Sequence, residues 1–202
     1  MRTDHPYSLV PLLLLFVLSL LSSPSFGASE QFKGKIFDPG MMKAVDSKTN
    51  LKIGMKAPDF ALPSVAGTPV RLSDYKGKKN VVLSFVPAAW TPVCSDQWPG
   101  YNLLKDIFDR HDAVLLGISV DNVPTLHAWT GEMGELWFPV LSDFWPHGAV
   151  SEKYGILRSD GVSERALFVI DKKGIIRYID VHDINTRPNL KLLLSELEKI
   201  GQ

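Results

Sequence analysis

The chain has 202 residues, of which 45% are hydrophobic and 22% are charged. This composition is typical of a folded globular protein and excludes collagen-like and low-complexity architectures. Its 22 basic and 22 acidic side chains give a net charge of zero. We therefore expect no nucleic-acid partner, because no basic field would hold a phosphate backbone. The single cysteine, Cys94, excludes a disulfide or a cysteine-based zinc cluster within one chain.

Residues 1–27 are predicted to be a secretory signal peptide. An apolar run from Leu9 to Leu21 follows a weakly basic start, and small residues precede a predicted cleavage after Gly27. The alternative is an uncleaved membrane anchor, which would need about 20 apolar residues, more than this run supplies. We therefore expect an exported protein, periplasmic or extracellular, whose thiol works in an oxidising compartment.

The rest of the chain is predicted to be an arm followed by one domain. Residues 28–53 are polar, lack a sustained hydrophobic period and contain the chain breaker Asp38-Pro39-Gly40. They are predicted to form a connecting arm. Residues 54–202 contain regular elements without an internal repeat or a second domain, and form the predicted folded domain.

The first half of this domain predicts a small hairpin and then a β-α-β unit. Short apolar segments at 60–62 and 70–72 predict the hairpin. Residues 81–86 are continuously apolar apart from one serine, as in a strand buried on both faces. A helix from Thr91 follows, with four residues sharing its buried face: Leu103, Leu104, Ile107 and Phe108. Residues 113–120 are a second buried strand, and this spacing predicts a right-handed crossover between parallel strands.

The second half predicts a helix, a strand, a helical turn, a hairpin and a last helix. A helix is predicted at 124–129, a strand at 138–141 and a helical turn at 149–154. The hairpin is predicted to pair 166–170 with 175–181, and the last helix to start near Pro188. The last helix is predicted to bury four residues: Leu190, Leu193, Leu194 and Leu197. A β-α-β half followed by a β-β-α half predicts an α/β protein of thioredoxin-like fold, with a central mixed sheet flanked by helices.

Cys94 is predicted to lie in the first turn of the helix after the first buried strand. Unpaired backbone N–H groups and the positive end of the helix dipole meet there, and both stabilise a thiolate. The alternative is a buried structural cysteine, because a free cysteine packs like a small hydrophobic residue. The polar neighbours Ser95, Asp96 and Gln97, together with export of an unpaired thiol, favour a reactive cysteine.

Residues around this cysteine match a known pattern. Pro87, Thr91 and Cys94 stand as Pro-x-x-x-Thr-x-x-Cys, which resembles the peroxidatic motif of the peroxiredoxins. Segments similar to the family follow in its order across residues 54–181, at 54–60, 72–78, 139–144, 154–155 and 165–171. The resemblance, to peroxiredoxins of the AhpC/TSA type, implies a thiol-dependent peroxidase that needs no cofactor and no metal.

The resemblance also implies a role for each site residue. Cys94 attacks a peroxide oxygen as a thiolate and becomes a sulfenic acid, and Arg165 stabilises the thiolate and the leaving oxygen. Thr91 holds the peroxide, Pro87 shields the thiolate from water, and the backbone N–H groups of Val93 and Cys94 bind the peroxide. Taken singly, Thr91 is equally explained as a helix cap, Pro87 as a strand terminator and Arg165 as a surface cation.

The chain also departs from the family pattern. Gln97 stands where many members have a glutamate, which leaves the charge of that network open, and Pro99 predicts a kink in the helix. A resolving cysteine is absent from the sequence. The resemblance therefore implies a one-cysteine peroxiredoxin, whose sulfenic acid is reduced by an external thiol from a thioredoxin-like protein or a small molecule.

Two alternative functions remain open from the sequence. A disulfide reductase of thioredoxin type needs Cys-x-x-Cys, and here Thr91 stands in place of its first cysteine. A non-enzymatic thioredoxin-fold module, either a peroxide sensor or a binding scaffold, would share the fold without needing Pro87, Thr91 and Arg165 together. A homodimer is open too, and three tryptophans are candidates for its contact or for the core: Trp90, Trp137 and Trp145.

Overall fold

The computed structural model describes Met1 and residues 32–200, so the predicted signal peptide, apart from Met1, lies outside the described residues. The strands are β1 (Ala61–Leu62), β2 (Val70–Arg71), β3 (Asn80–Phe85), β4 (Ala113–Ser119), β5 (Val140–Ser142), β6 (Arg165–Ile170) and β7 (Ile176–His182). The helices are α1 (Pro92–Asn102), α2 (Lys105–Arg110), α3 (Val123–Gly131), α4 (Ala149–Lys153) and α5 (Leu190–Ile200), with a 3₁₀ turn at Leu72–Tyr75. Within this described part, no helix has the length and apolar character that a membrane span requires.

Five of the strands form one mixed sheet in the order β5-β4-β3-β6-β7. β4 runs parallel to both β3 and β5, whereas β6 runs antiparallel to both β3 and β7. β1 and β2 form a separate antiparallel pair. The predicted thioredoxin-like fold is confirmed, including its parallel crossover and its two hairpins.

The sheet has a hydrophobic core on each face, because successive residues of a strand point to opposite sides. In β3, Val82 belongs to the core that includes residues of α1, α3 and α5. The next residue, Leu83, belongs to the core that includes the β1–β2 hairpin and α4. All of β3 is buried, which explains its nearly continuous apolar sequence.

The predicted continuous helix over residues 91–108 is instead two helices, α1 and α2. The carbonyl oxygen of Tyr101 accepts hydrogen bonds from the Leu104 amide and the Trp137 indole, each at 3.0 Å. The Trp137 side chain, which is distant in sequence, therefore uses the Tyr101 carbonyl near the end of α1, and the chain turns there. As a result Leu103 is exposed, contrary to the prediction, while Phe108 is buried as predicted.

The described part of the arm, residues 32–53, packs against the domain although it contains no strand and only a short helical turn at its start. Phe32 is buried and meets Trp90 edge to face, with ring centroids 6.1 Å apart. Further along, the Ala44 carbonyl accepts a hydrogen bond from the Ile184 amide at 3.0 Å. The polar composition of the arm did not predict this attachment.

Candidate active site

The chain between β3 and α1 places the thiol at the start of a helix. Pro87 follows β3 and is buried, and Thr91 is the residue that precedes α1. Pro92 occupies the first helical position, where its missing N–H has no intrahelical partner to lose. Cys94 is the third residue of α1 and is 0% exposed.

α1 is held against the sheet by tightly packed aromatic side chains. Trp98 lies against Gly117 of β4, where an added Cβ atom would come within 2.9 Å of the Trp98 ring. Trp98 also stacks at an angle on Trp129, with ring centroids 4.9 Å apart. The Trp129 indole donates to the Ser95 hydroxyl at 3.0 Å, next to the cysteine. These contacts fix the position of the first turn of α1.

Arg165, the first residue of β6, is buried beside the thiol. Its Nη2 donates a hydrogen bond to the Sγ atom of Cys94 at 3.3 Å. Its Nε and Nη2 both donate to the Ile184 carbonyl, at 3.2 and 3.0 Å, and its Nη1 donates to Oε1 of Gln97. The guanidinium is therefore fixed with one edge facing the sulfur.

The charge of this buried guanidinium has no carboxylate partner within 4 Å among the described residues. Gln97, which it contacts, is neutral and is itself held by hydrogen bonds from its Nε2 to the Ser84 and Tyr101 hydroxyls. Burial raises the pKa of Tyr101, so its phenol also stays uncharged at neutral pH. A buried cation is costly without an anion, and the thiolate of Cys94 would supply one.

Thr91 does not cap the helix with its side chain. Its hydroxyl donates instead to the Ala88 carbonyl at 2.9 Å. Backbone bonding of the helix begins with the Ser95 amide, which donates to the Thr91 carbonyl at 3.0 Å. The N–H groups of Val93 and Cys94 precede this bond, so they are among the donors that the first turn of a helix leaves for a ligand.

The loop before α1 contains a strained residue that the arm supports. Trp90 has φ of 61°, a left-handed conformation that bulky residues rarely adopt. Its carbonyl accepts a hydrogen bond from the Phe37 amide at 2.8 Å, and its ring packs on Phe32. On the other side, the Ala89 amide donates to Asp121 at 2.8 Å. The loop conformation thus depends on both the arm and the domain.

A cavity of about 500 Å³ opens beside the thiol. Pro87, Thr91 and Arg165 line it, so three of the sequence-predicted site residues share this cavity, and Arg165 also contacts the buried Cys94. Residues 37–42 of the arm also line it. Sequence reasoning missed this contribution, and also missed the Ile184 carbonyl that holds Arg165. The apolar pair Met41-Met42 stands within a polar segment, and it could have indicated from the sequence that the arm packs on the domain and lines a cavity.

Fold and site together define a class. A thioredoxin-like fold with one buried thiol at a helix start, next to an arginine and an open cavity, is that of a thiol-dependent peroxidase. The sequence model of the AhpC/TSA family matches residues 53–179. The chain therefore belongs to the AhpC/TSA family, the peroxiredoxins.

Individual relatives agree with this assignment. Alkyl hydroperoxide reductase E of Mycobacterium tuberculosis (strain ATCC 25618 / H37Rv) is 41% identical over 132 residues, covering 65% of this chain and 86% of that protein. A chloroplastic 2-cysteine peroxiredoxin of Chattonella marina var. antiqua is 37% identical over 161 residues, covering 75% and 81%. The crystal structure of reduced Plasmodium vivax 2-Cys peroxiredoxin superimposes with a TM-score of 0.68 at 29% identity, covering 73% and 81%.

Proposed function

We propose that this chain reduces hydrogen peroxide or organic hydroperoxides with Cys94 as the reacting thiol and an external thiol as the electron donor. The observation that carries the proposal is the 3.3 Å hydrogen bond from Arg165 to the Cys94 sulfur, made by a buried guanidinium without a carboxylate partner among the described residues. Such a cation favours the thiolate, which is the nucleophilic form of cysteine.

In the first step, the Cys94 thiolate attacks the terminal oxygen of the peroxide. The S–O bond forms as the O–O bond breaks, giving a sulfenic acid and, after one proton is taken up, water or an alcohol. Arg165 and the N–H groups of Val93 and Cys94 stabilise the negative charge that moves onto the leaving oxygen. The Thr91 hydroxyl positions the peroxide, and Pro87 keeps bulk water from the sulfur.

In the second step, an external thiol attacks the sulfenic sulfur and its oxygen leaves as water. A second thiol then attacks the mixed disulfide, which releases the Cys94 thiol and an external disulfide. The external donor is required because Cys94 is the only cysteine of the chain. For the same reason the chain cannot complete a disulfide exchange within itself, which disfavours a disulfide reductase.

Dependence on an added thiol tests this cycle. Reduced protein without a donor should rapidly consume one equivalent of peroxide to form the sulfenic acid, and excess peroxide should then be consumed only in the slower step to the sulfinic acid, whereas dithiothreitol should restore continuous turnover. Excess peroxide without a donor should add two oxygens to the peptide that contains Cys94, measured by mass spectrometry. Sustained consumption without any thiol would contradict the cycle. A single equivalent consumed even with dithiothreitol would instead favour the non-enzymatic sensor.

We also propose that the protein is exported, to the periplasm or the outside of the cell. The support is the sequence of residues 1–27, with its apolar run and small residues before Ala28. Mass spectrometry of the protein purified from its own cells should find Ala28 as the amino terminus. A cytoplasmic protein that retains residues 1–27 would contradict this proposal.

The homodimer stays a prediction. Of the three candidate tryptophans, Trp90 packs on Phe32 and Trp137 on Phe108, whereas Trp145 is 81% exposed. Sedimentation velocity of the unmodified chain and of a Trp145→Ser variant would determine both the oligomeric state and the part that this side chain plays in it.

A further inference from the structure

We infer that residues 37–42 of the arm bind the organic part of a hydroperoxide, and that Phe37 and Met41 raise the preference of the enzyme for alkyl and aryl hydroperoxides over hydrogen peroxide. The inference rests on the proposed function and adds to it a specificity-determining surface. These residues lie outside residues 53–179, the part of the chain that the family model matches.

The cavity is larger than hydrogen peroxide requires. Its volume is about 500 Å³. Hydrogen peroxide, which is close in size to two water molecules, occupies roughly 60 Å³. A volume of several hundred Å³ is in the range of pockets that bind small organic ligands. Hydrogen peroxide would leave most of this space to water, and an organic hydroperoxide would fill it.

The lining of the cavity is suited to a neutral apolar group with one polar end. Arg165 and Thr91 belong to the lining, and the peroxide group would react beside Arg165, which contacts the thiol. The rest is mainly apolar, and among the described residues the only other charged side chain of the lining is Asp38, whose carboxylate accepts a hydrogen bond from the Gly40 amide at 2.8 Å. An alkyl or aryl group along this wall would exchange water for apolar contacts.

Two large apolar side chains of the wall are unusually exposed. Phe37 is 71% exposed and Met41 is 86% exposed, although both belong to a segment that lines the cavity. Their side chains therefore contribute little to the packing of the domain and are free to meet a ligand. The same exposure means that polar replacements of Phe37 and Met41 should leave the fold intact.

Residues 37–42, the wall of the cavity, are held in place at both ends by hydrogen bonds to their backbone groups. At its start the Phe37 amide donates to the Trp90 carbonyl at 2.8 Å. At its end the Met42 amide donates to Oδ1 of Asn185, and Nδ2 of Asn185 donates to the Met42 carbonyl, both at 2.9 Å. Beyond it, Glu164 accepts hydrogen bonds from two further arm amides, at 2.6 and 2.7 Å. The wall is thus a fixed part of the cavity.

The test compares two peroxides in single-turnover oxidation of the reduced protein, followed by stopped-flow tryptophan fluorescence. The measured quantity is the ratio of the second-order rate constant for cumene hydroperoxide to that for hydrogen peroxide. A Phe37→Ser/Met41→Ser double variant should lower this ratio about tenfold, since the loss of apolar contacts falls on the bulky substrate. Val45→Ser is the matched control, because Val45 is an exposed apolar arm residue outside the cavity lining. It should leave the ratio unchanged.

The outcomes separate this inference from the function on which it rests. An unchanged ratio in a double variant that both peroxides still oxidise would overturn the inference alone. A change confined to the later reaction with dithiothreitol would also overturn it, and would assign the wall to the electron donor. If neither peroxide oxidises Cys94 in the unmodified chain, the proposed function fails.

Discussion

Residues 86–98 and the arm at residues 32–53 both contribute to the lining of the same cavity, but different forces hold them. The first segment contains the loop after β3 and the first turns of α1, and it is fixed by the buried aromatic packing around Trp98. The arm has no strand in its described part, and its backbone amides donate to the Trp90 carbonyl and to the side chains of Glu164 and Asn185. The reactive groups thus lie on a rigid scaffold. Residues 37–42, which we propose to select the substrate, lie instead on a peripheral segment.

The two regions also differ in their charges. Beside the thiol, Arg165 is buried, and the low dielectric strengthens its effect on any neighbouring anion. In the arm, the ion pair between Lys43 and Asp46 is at the surface, and such pairs contribute little to stability. Substitutions beside the thiol should therefore have large effects on chemistry, and charge substitutions in the arm should have small effects.

The largest effect is expected from Cys94→Ser, which removes the reacting group of the first region. Peroxide consumption in the presence of dithiothreitol should fall to background, because a hydroxyl group provides almost no anion for attack at neutral pH. The thermal unfolding midpoint serves as the control and should stay close to that of the unmodified chain. Retained peroxidase activity would exclude the whole mechanism.

The next largest effect is expected from Arg165→Met, which keeps much of the side-chain volume but removes the charge. The rate of iodoacetamide alkylation of Cys94 at neutral pH should fall about tenfold, because the guanidinium no longer favours the thiolate, which is the nucleophilic form. Oxidation by peroxide should slow by about 100-fold. Arg177→Met is the matched control, since Arg177 pairs with Asp171 at the surface. An alkylation rate that does not change would show that Arg165 has no influence on the sulfur.

A smaller effect is expected from Gln97→Glu, which adds a carboxylate where Arg165 now contacts a neutral amide. The new negative charge would compete with the thiolate for the guanidinium. We expect alkylation at neutral pH and oxidation by peroxide each to slow roughly threefold. Gln97→Met removes the same amide without adding a charge and separates the two causes. Faster oxidation in the glutamate variant would mean that charge balance at Arg165 does not limit the reaction.

The smallest effect is expected in the arm, from titration of Asp46. Hydrogen bonds from Lys43 and Ser159 lower the pKa of Asp46 below its ordinary value of 3.8. A folded-state pKa below the unfolded one means that the stabilisation is present above pH 3.8 and is lost as the pH falls towards the lower folded-state pKa. The thermal unfolding midpoint should therefore fall less between about pH 5 and about pH 3 in Asp46→Asn than in the unmodified chain.

A second variant removes a partner of this carboxylate and keeps its charge. Ser159→Ala takes away the hydroxyl that donates to Asp46 at 2.6 Å, so the midpoint should again fall less between about pH 5 and about pH 3 than in the unmodified chain. Equal losses of stability in Asp46→Asn and in the unmodified chain would show that Asp46 does not contribute to attachment of the arm through its charge.

The sequence by itself determined the order and type of most elements, because the signals for them are short-range. The apolar run of β3, the change of period after Thr91 and the turn before Gly174 each depend on a few neighbouring residues. The spacing from Pro87 to Cys94 spans a single strand-to-helix connection, so it already implied a thiol at a helix start. These features do not depend on which distant residues pack against them.

Only the tertiary structure decided which distant groups meet at the cavity. Arg165 and Gln97 are 68 positions apart, and Asn185 and Met42 are 143 positions apart. The end of α1 likewise depends on Trp137, 36 positions beyond Tyr101. Around the cavity the arm is held largely through its own backbone N–H and C=O groups, which nearly every residue possesses, so this part of its attachment leaves no side-chain pattern in the sequence of the arm.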